Sequence, residues 1–297
     1  MEDLPIIDPH HHLWDLDLNC YPWLSDGVQP VAFGNYAPLQ RNYLIADYRS
    51  DARGQNVVKS LHLDVGYDPI EPVGEARWLQ AVADEHGFPH GIVGYADLAA
   101  PDVGDLLDAH LEHENFRGIR QSMNWHADLA KTYTDRPEIS RSAEWQRGFA
   151  MLAPRSLSFK LQIYYSQVEE FLDLARAFPD TRIILNHAGM QMDGPEHFSG
   201  WRQGMSLLAT APNIACKISG LGMGKHDWTA SDIRPYVEHF IEPFGIERCM
   251  FASNFPVDRL FSSFGAIFDA FREITANYTQ SERRALFHDN AARFYRL

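Results

Sequence analysis

The chain is predicted to be an α/β protein, a (β/α)8 TIM-like barrel of regular or distorted form, on three observations. Short β-branched runs alternate with longer amphipathic stretches at intervals of roughly 25–40 residues, the pattern of repeated βα units on a parallel sheet. Eight such runs can be counted, the number that closes a barrel. No GxGxxG follows any of them, so a doubly wound open sheet lacks its phosphate-binding turn. A length of 297 residues suits one such barrel, and with no linker, repeat or low-complexity tract the reading is a single domain over 1–297.

The predicted strands are 4–10, 57–65, 91–97, 117–121, 157–163, 182–187, 213–219 and 248–253. Each is a short apolar run rich in Val, Ile, Leu or Phe and bounded by polar or turn residues. Helical periodicity fills the gaps at 74–86, 102–113, 142–153, 166–178, 200–211, 231–244 and 260–276. The first interval is longer. Residues 14–50 carry Trp14, Tyr21, Trp23, Phe33, Tyr36 and Tyr43 without clear period, which predicts an aromatic-rich loop insertion after strand one. In a barrel such a loop overhangs the catalytic mouth or serves as a packing arm.

Composition excludes several classes. The hydrophobic fraction of 45% and charged fraction of 22% are those of a globular protein. A net charge of −14 disfavours a nucleic-acid partner. No apolar run reaches the ~18 residues of a membrane span, and the acidic start MEDLPIID lacks a secretory n-region. Cys20, Cys216 and Cys249 are widely spaced along the chain and are read as reduced thiols of a cytoplasmic protein. The expected partner is a small-molecule substrate; the oligomeric state is left open.

Polar residues at the C-terminal ends of barrel strands carry the chemistry of such folds. Strand one places His10 and His12 on one parity, an HxH suited to one metal ion or one substrate oxygen, with His11 on the other. Strand two offers His62 and Asp64, as core histidine and cap or as site residues. Strand four ends in Arg120 and Gln121, a cation able to clamp a carboxylate. Strand five ends in Gln162 and Tyr164, with Lys160 the better candidate for a buried structural cation. Strand six, by alternation from Ile183 and Leu185, ends in His187 at a glycine turn, a donor, base or ligand. Strand seven presents Lys217 and Ser219, and strand eight leads into Asn254, with Asp258 just beyond.

These pieces resemble the amidohydrolase superfamily, and more closely its branch of sugar-lactone and pyrone-dicarboxylate lactonases. The similar segments are IIDPHHHLWDL, YPWL, FRGIRQ, LNHAGM, CKISGL, MFASNFPVD and NAARFYRL, in family order along the whole chain. The resemblance implies a barrel with hydrolysis at its C-terminal mouth. It implies His10 and His12 as the strand-one pair, His187 as the strand-six histidine, and Arg120, Gln162 and Tyr164 as substrate contacts. It also shows two departures: the strand-eight aspartate of many relatives is Asn254, and strand five carries no histidine. Asn cannot act as a base and is a poor zinc ligand.

The expectation is therefore a hydrolase acting on a small lactone, with His10, His12, His187, Asn254 and Asp258 as catalytic candidates. Arg120, Gln162, Tyr164 and Lys217 are the substrate-binding candidates. His187 and Asp258 are the alternatives for general base. No cofactor is expected to be required; if a divalent metal is bound, zinc on His10, His12 and His187 is the choice. A decarboxylase of the same branch, or a catalytically altered binding protein, is the alternative function.

Overall fold

The computed structural model describes residues 4–31, 33–192 and 195–297. Eight strands form one sheet in sequential order: β1 (Ile6–His11), β2 (Val57–Leu63), β3 (Gly91–Tyr95), β4 (Phe116–Arg120), β5 (Ser158–Leu161), β6 (Ile183–Leu185), β7 (Ile214–Ile218) and β8 (Cys249–Phe251). Every neighbouring pair is parallel. The ring closes just past the ends of the first and last strands. There the His12 N–H donates to the Phe255 carbonyl at 2.7 Å, and the Asn254 N–H donates to the His10 carbonyl at 2.8 Å. The fold is the (β/α)8 barrel that the alternation predicts, with helices between the strands.

Those helices are α1 (Ile45–Asp51), α2 (Val73–His86), α3 (Val103–Leu111), α4 (Ala143–Ala150), α5 (Val168–Ala177), α6 (Pro195–Leu208), α7 (Ala230–Phe244) and α8 (Phe264–Ile274). Local sequence starts several of them. Ser142 and Ser263 cap α4 and α8 by accepting from Trp145 N and Ala266 N, and Thr229 with Asp232 forms a capping box on α7.

Strand alternation sorts side chains into two cores. Ile6, Ile119, Phe159, Leu185, Ile218 and Phe251 face the helices. Ile7, Leu61, Leu63, Val93, Ile184, Ala215 and Met250 fill the barrel with Ala291, Phe294 and Tyr295 from the C-terminal segment. That segment stoppers the N-terminal end of the barrel: Arg182, just before β6, donates to the Phe294 carbonyl at 2.7 Å. Leu297 lies against Gly91, the first residue of β3.

Cys216 and Cys249, 33 positions apart in the chain, are register partners on β7 and β8, with their sulfurs 3.5 Å apart. Both are buried free thiols. Among the described residues no helix is long and apolar enough to cross a membrane.

Candidate active site

Strand alternation alone does not deliver the HxH pair. The β1–β2 register slips between Asp8 and His11, a one-residue bulge. Asp8, one residue on from the barrel-facing Ile7, points away from the barrel axis. It accepts from Tyr48 OH at 2.9 Å, Ser253 N at 2.9 Å and Ser253 Oγ at 2.6 Å, and ties strand one to the residues after β8. His11 faces the same outer side, stacked on Tyr48 and bonded to Ser60 Oγ at 2.9 Å. The bulge turns His10 inward, where its ring meets those of His12 and His187 at centroid distances of 5.0 and 4.5 Å.

His187 arrives by a different route. Ile184, not Ile183 or Leu185, faces the barrel interior, so simple alternation would carry residue 187 outward. The chain instead leaves β6 through a run of left-handed residues, His187 (φ 50°), Ala188 (φ 48°), Gly189 (φ 69°) and Met190 (φ 47°). Such backbone is costly outside glycine and clusters at functional sites. It swings the imidazole back over the mouth, where Nδ1 lies 3.2 Å from Ser219 Oγ.

His12, His187, Asn254, Arg120, Gln162 and Asp64 all line one cavity of about 260 Å³ at the C-terminal ends of the strands. Arg120 donates to the Asp64 carbonyl and, through Nη2, to Gln162 Oε1 at 2.8 Å. Among the described residues its Nε has no partner. A cation held by neutral acceptors remains available to a ligand that carries or develops negative charge. Asn254 reaches the cavity on the interior parity of Met250, with its own backbone left-handed (φ 57°), a conformation Asn tolerates better than most residues.

The imidazoles are uncharged near neutral pH. Burial, and then the nearby cations Lys217 and Arg120, push His10 well below the usual histidine range; burial and Arg120 do the same to His12 and His187. His12 Nδ1 sits 2.8 Å from the Leu63 carbonyl, which can only accept. Nδ1 therefore carries the proton, and Nε2 presents a lone pair. Burial raises the Asp64 carboxyl to about 7, Glu75 adding to the effect and Arg120 opposing it.

Other sequence candidates lie elsewhere. Asp258 is fully buried, is raised to about 7 by burial, bonds the Asn254 side chain and is not on the cavity wall. Lys217 is inside the barrel below the histidines. Its Nζ is 3.3 Å from the Pro9 carbonyl and 5.7 Å from the Tyr295 ring centre, and burial pushes its pKa far down. Lys160 lies over the same ring, its Nζ 4.4 Å from the ring centre. Tyr164 lines a neighbouring pocket of about 130 Å³ and donates to the Lys131 carbonyl at 2.9 Å. His62 faces α2: Nδ1 accepts from Leu13 N at 3.0 Å and Nε2 meets Glu75 Oε1 at 3.3 Å. Trp23 and Phe33, from the long segment after β1, also line the main cavity, as do Met190 and Met223. Their aromatic and thioether character was visible in the sequence, but loop positions have no period to place them.

A zinc site would need donors converging on one point. Among the described residues no three His, Cys, Asp or Glu side chains do so, and the strand-eight position supplies an amide. The donor set does not fit a structurally closed zinc site.

The sequence pattern of the amidohydrolase family matches residues 7–297. The chain belongs to the amidohydrolase family. This amidohydrolase is 65% identical, over 297 residues and the full length of both chains, to an uncharacterized protein of Sinorhizobium fredii. It is 28% identical to the L-fucono-1,5-lactonase of Burkholderia ambifaria over 303 residues, covering 98% of this chain and 95% of that one. Its fold matches the crystal structure of an amidohydrolase from Burkholderia multivorans with bound zinc, with a TM-score of 0.82, 23% identity and 99% of each chain covered. Family and relatives together make the amidohydrolase a hydrolytic enzyme.

Proposed function

We propose that this amidohydrolase opens a small lactone with water at the C-terminal mouth of its barrel. The observation that carries the reading is the convergence of Arg120, Asn254, His187 and the His12 lone pair on one cavity of about 260 Å³. That volume is just below the usual range of ligand pockets and suits a single ring with short substituents. Similarity to a lactonase over nearly the whole chain supports the same class.

Ester opening requires donors aimed at the carbonyl oxygen as it gains charge. The Arg120 guanidinium and the Asn254 amide are such donors, and neither needs to change protonation to act. The neutral His12 Nε2 accepts from a ring hydroxyl or from the attacking water. Gln162 holds Arg120 in place at 2.8 Å, so the cation is set before substrate arrives. Trp23 and Phe33 add apolar surface to the cavity wall.

We propose further that turnover does not depend on a tightly held metal: Asn254 supplies an amide where a carboxylate ligand would be wanted, and among the described residues no three His, Cys, Asp or Glu side chains are arranged to hold a metal ion. A cytoplasmic setting is consistent with the three free thiols. The test is a panel of five- and six-membered lactones of sugar acids and aromatic-ring-fission acids, followed by proton release with and without chelator. Turnover of at least one lactone, unaffected by chelator, is expected. Carbon dioxide release from aromatic acids without lactone turnover would instead establish the decarboxylase alternative.

A further inference from the structure

We propose that Asp64 is the general base of this site, supplying the proton transfer that Asn254 cannot. This rests on the lactone-hydrolase reading above.

Asp64 is the one carboxylate lining the cavity among the described residues. It follows directly on β2, and its Oδ1 accepts from Gly66 N at 3.1 Å. No described protein group bonds Oδ2, which leaves that oxygen for a water. The backbone on either side of its Cα organises the rest of the site. The Leu63 carbonyl, immediately before, holds His12 Nδ1 at 2.8 Å; the carbonyl of Asp64 itself holds the Arg120 guanidinium. One dipeptide thus fixes a carboxylate, an imidazole lone pair and a cation relative to each other. This is the pre-organisation that water activation beside a polarised carbonyl needs.

The rival bases are less well placed. Asp258 does not line the cavity, and its carboxylate is hydrogen-bonded to the Asn254 side chain. The histidines keep their lone pairs but have little proton affinity, because burial and the cations oppose their charging. Five groups face Asp64 electrostatically. Arg120 on β4 and His62 on β2 hold its proton affinity down, while Glu75 on α2 raises it, and Tyr21 and Tyr95 feel its charge in return. With burial the balance leaves the carboxyl near 7, where a base is half ionised at working pH and still strong enough to take a proton.

The step balances without any other reactant. The Asp64 carboxylate takes one proton from water as the water oxygen bonds to the lactone carbonyl carbon. The carbonyl π pair moves onto its oxygen, towards Arg120 and Asn254. The ring C–O bond then breaks as the carbonyl re-forms, and the leaving alkoxide takes the proton from Asp64. Lactone and water give the open hydroxy acid, and Asp64 returns to its starting state.

The experiment compares wild type, Asp64→Asn and Asp64→Glu on a lactone that wild type turns over, measuring kcat against pH, hydroxy-acid product binding and melting temperature. Asp64→Asn is expected to lower kcat by about 10²–10⁴-fold and to lose the acid limb of the profile near 7, with product binding retained. Asp64→Glu, which keeps a carboxylate, is expected to keep the limb, displaced, and part of kcat. An Asp64→Asn enzyme with wild-type kcat and an unchanged limb overturns the proposal. So does loss of the limb in Asp258→Asn with its retention in Asp64→Asn. Wild type inert towards every lactone overturns the functional reading itself, and the assignment of Asp64 with it.

Discussion

Gly220 and the imidazole of His187 are in contact so close that a Cβ built on the glycine would lie 2.6 Å from Nδ1. Gly220 also has a left-handed backbone, φ 65°. Space and conformation both demand glycine at this turn after β7.

Gly220→Ala is therefore expected to push His187 out of the mouth. A displacement near 1 Å at a reacting group costs on the order of 10²-fold in rate, while the left-handed alanine costs roughly 1 kcal/mol of stability. Lactone kcat/KM and the melting temperature, measured on one preparation, check both. An alanine variant with wild-type kcat/KM would remove His187 from the chemistry.

Asn254→Ala changes two things at once, because it removes the amide and puts alanine in a left-handed position. Asn254→Gly removes the amide and keeps the conformation. If the amide donates to the developing oxyanion, Asn254→Gly lowers kcat by roughly 10²–10³ with little change in melting temperature. A glycine variant with full kcat would reduce Asn254 to a turn-forming role.

Asn254→Asp is expected to restore a carboxylate beside His12 and His187 and to raise zinc affinity. Elemental analysis should find wild type purified without stoichiometric zinc, with the aspartate variant retaining more after dialysis. Wild type holding one zinc per chain through chelation would overturn the metal-independent reading.

Glu75 gives a pH prediction for stability. Burial raises its carboxyl to about 8 from an ordinary 4.5, and burial holds His62 down to about 3. Because Leu13 N donates to His62 Nδ1, the imidazole is neutral and its Nε2–H donates to Glu75. For a carboxyl raised on folding, the stabilising contribution is complete below 4.5 and is lost as pH rises through about 8. Denaturant midpoints should fall over that range in wild type and fall less in Glu75→Gln. Glu75→Ala, which strands the His62 donor and leaves a void, should cost about 2–4 kcal/mol. Equal pH slopes in wild type and Glu75→Gln would show Glu75 to be ionised in the fold.

Much of this was legible in the sequence because barrel strands are buried runs bounded by turns, and all eight fall where β-branched runs predict them. His12, Arg120 and Gln162 line the cavity from the strand ends where the sequence places them. What alternation could not show is how His10 and His187 arrive. The first needs a bulge and the second a left-handed turn, and both break the two-residue period on which the reading relies. Lys217 has the right parity but sits too deep, inside β7, with its Nζ 5.7 Å from the ring centre of the C-terminal Tyr295. Parity fixes a side chain's face and says nothing of its depth. Tyr164 lies past the end of β5, where the chain has turned towards the next pocket.

The hydrogen bonds from Asn254 to His10 and from His12 to Phe255 set the order in which the enzyme can come into being. As the chain leaves the ribosome, His10 emerges 244 residues ahead of Asn254, and His12 243 residues ahead of Phe255, the residues that hold them. No nascent fragment short of strand eight possesses the site. Contacts of such long sequence separation form late and slowly, so a chain cut before strand eight leaves an unclosed sheet edge, exposed and prone to pair with its neighbours.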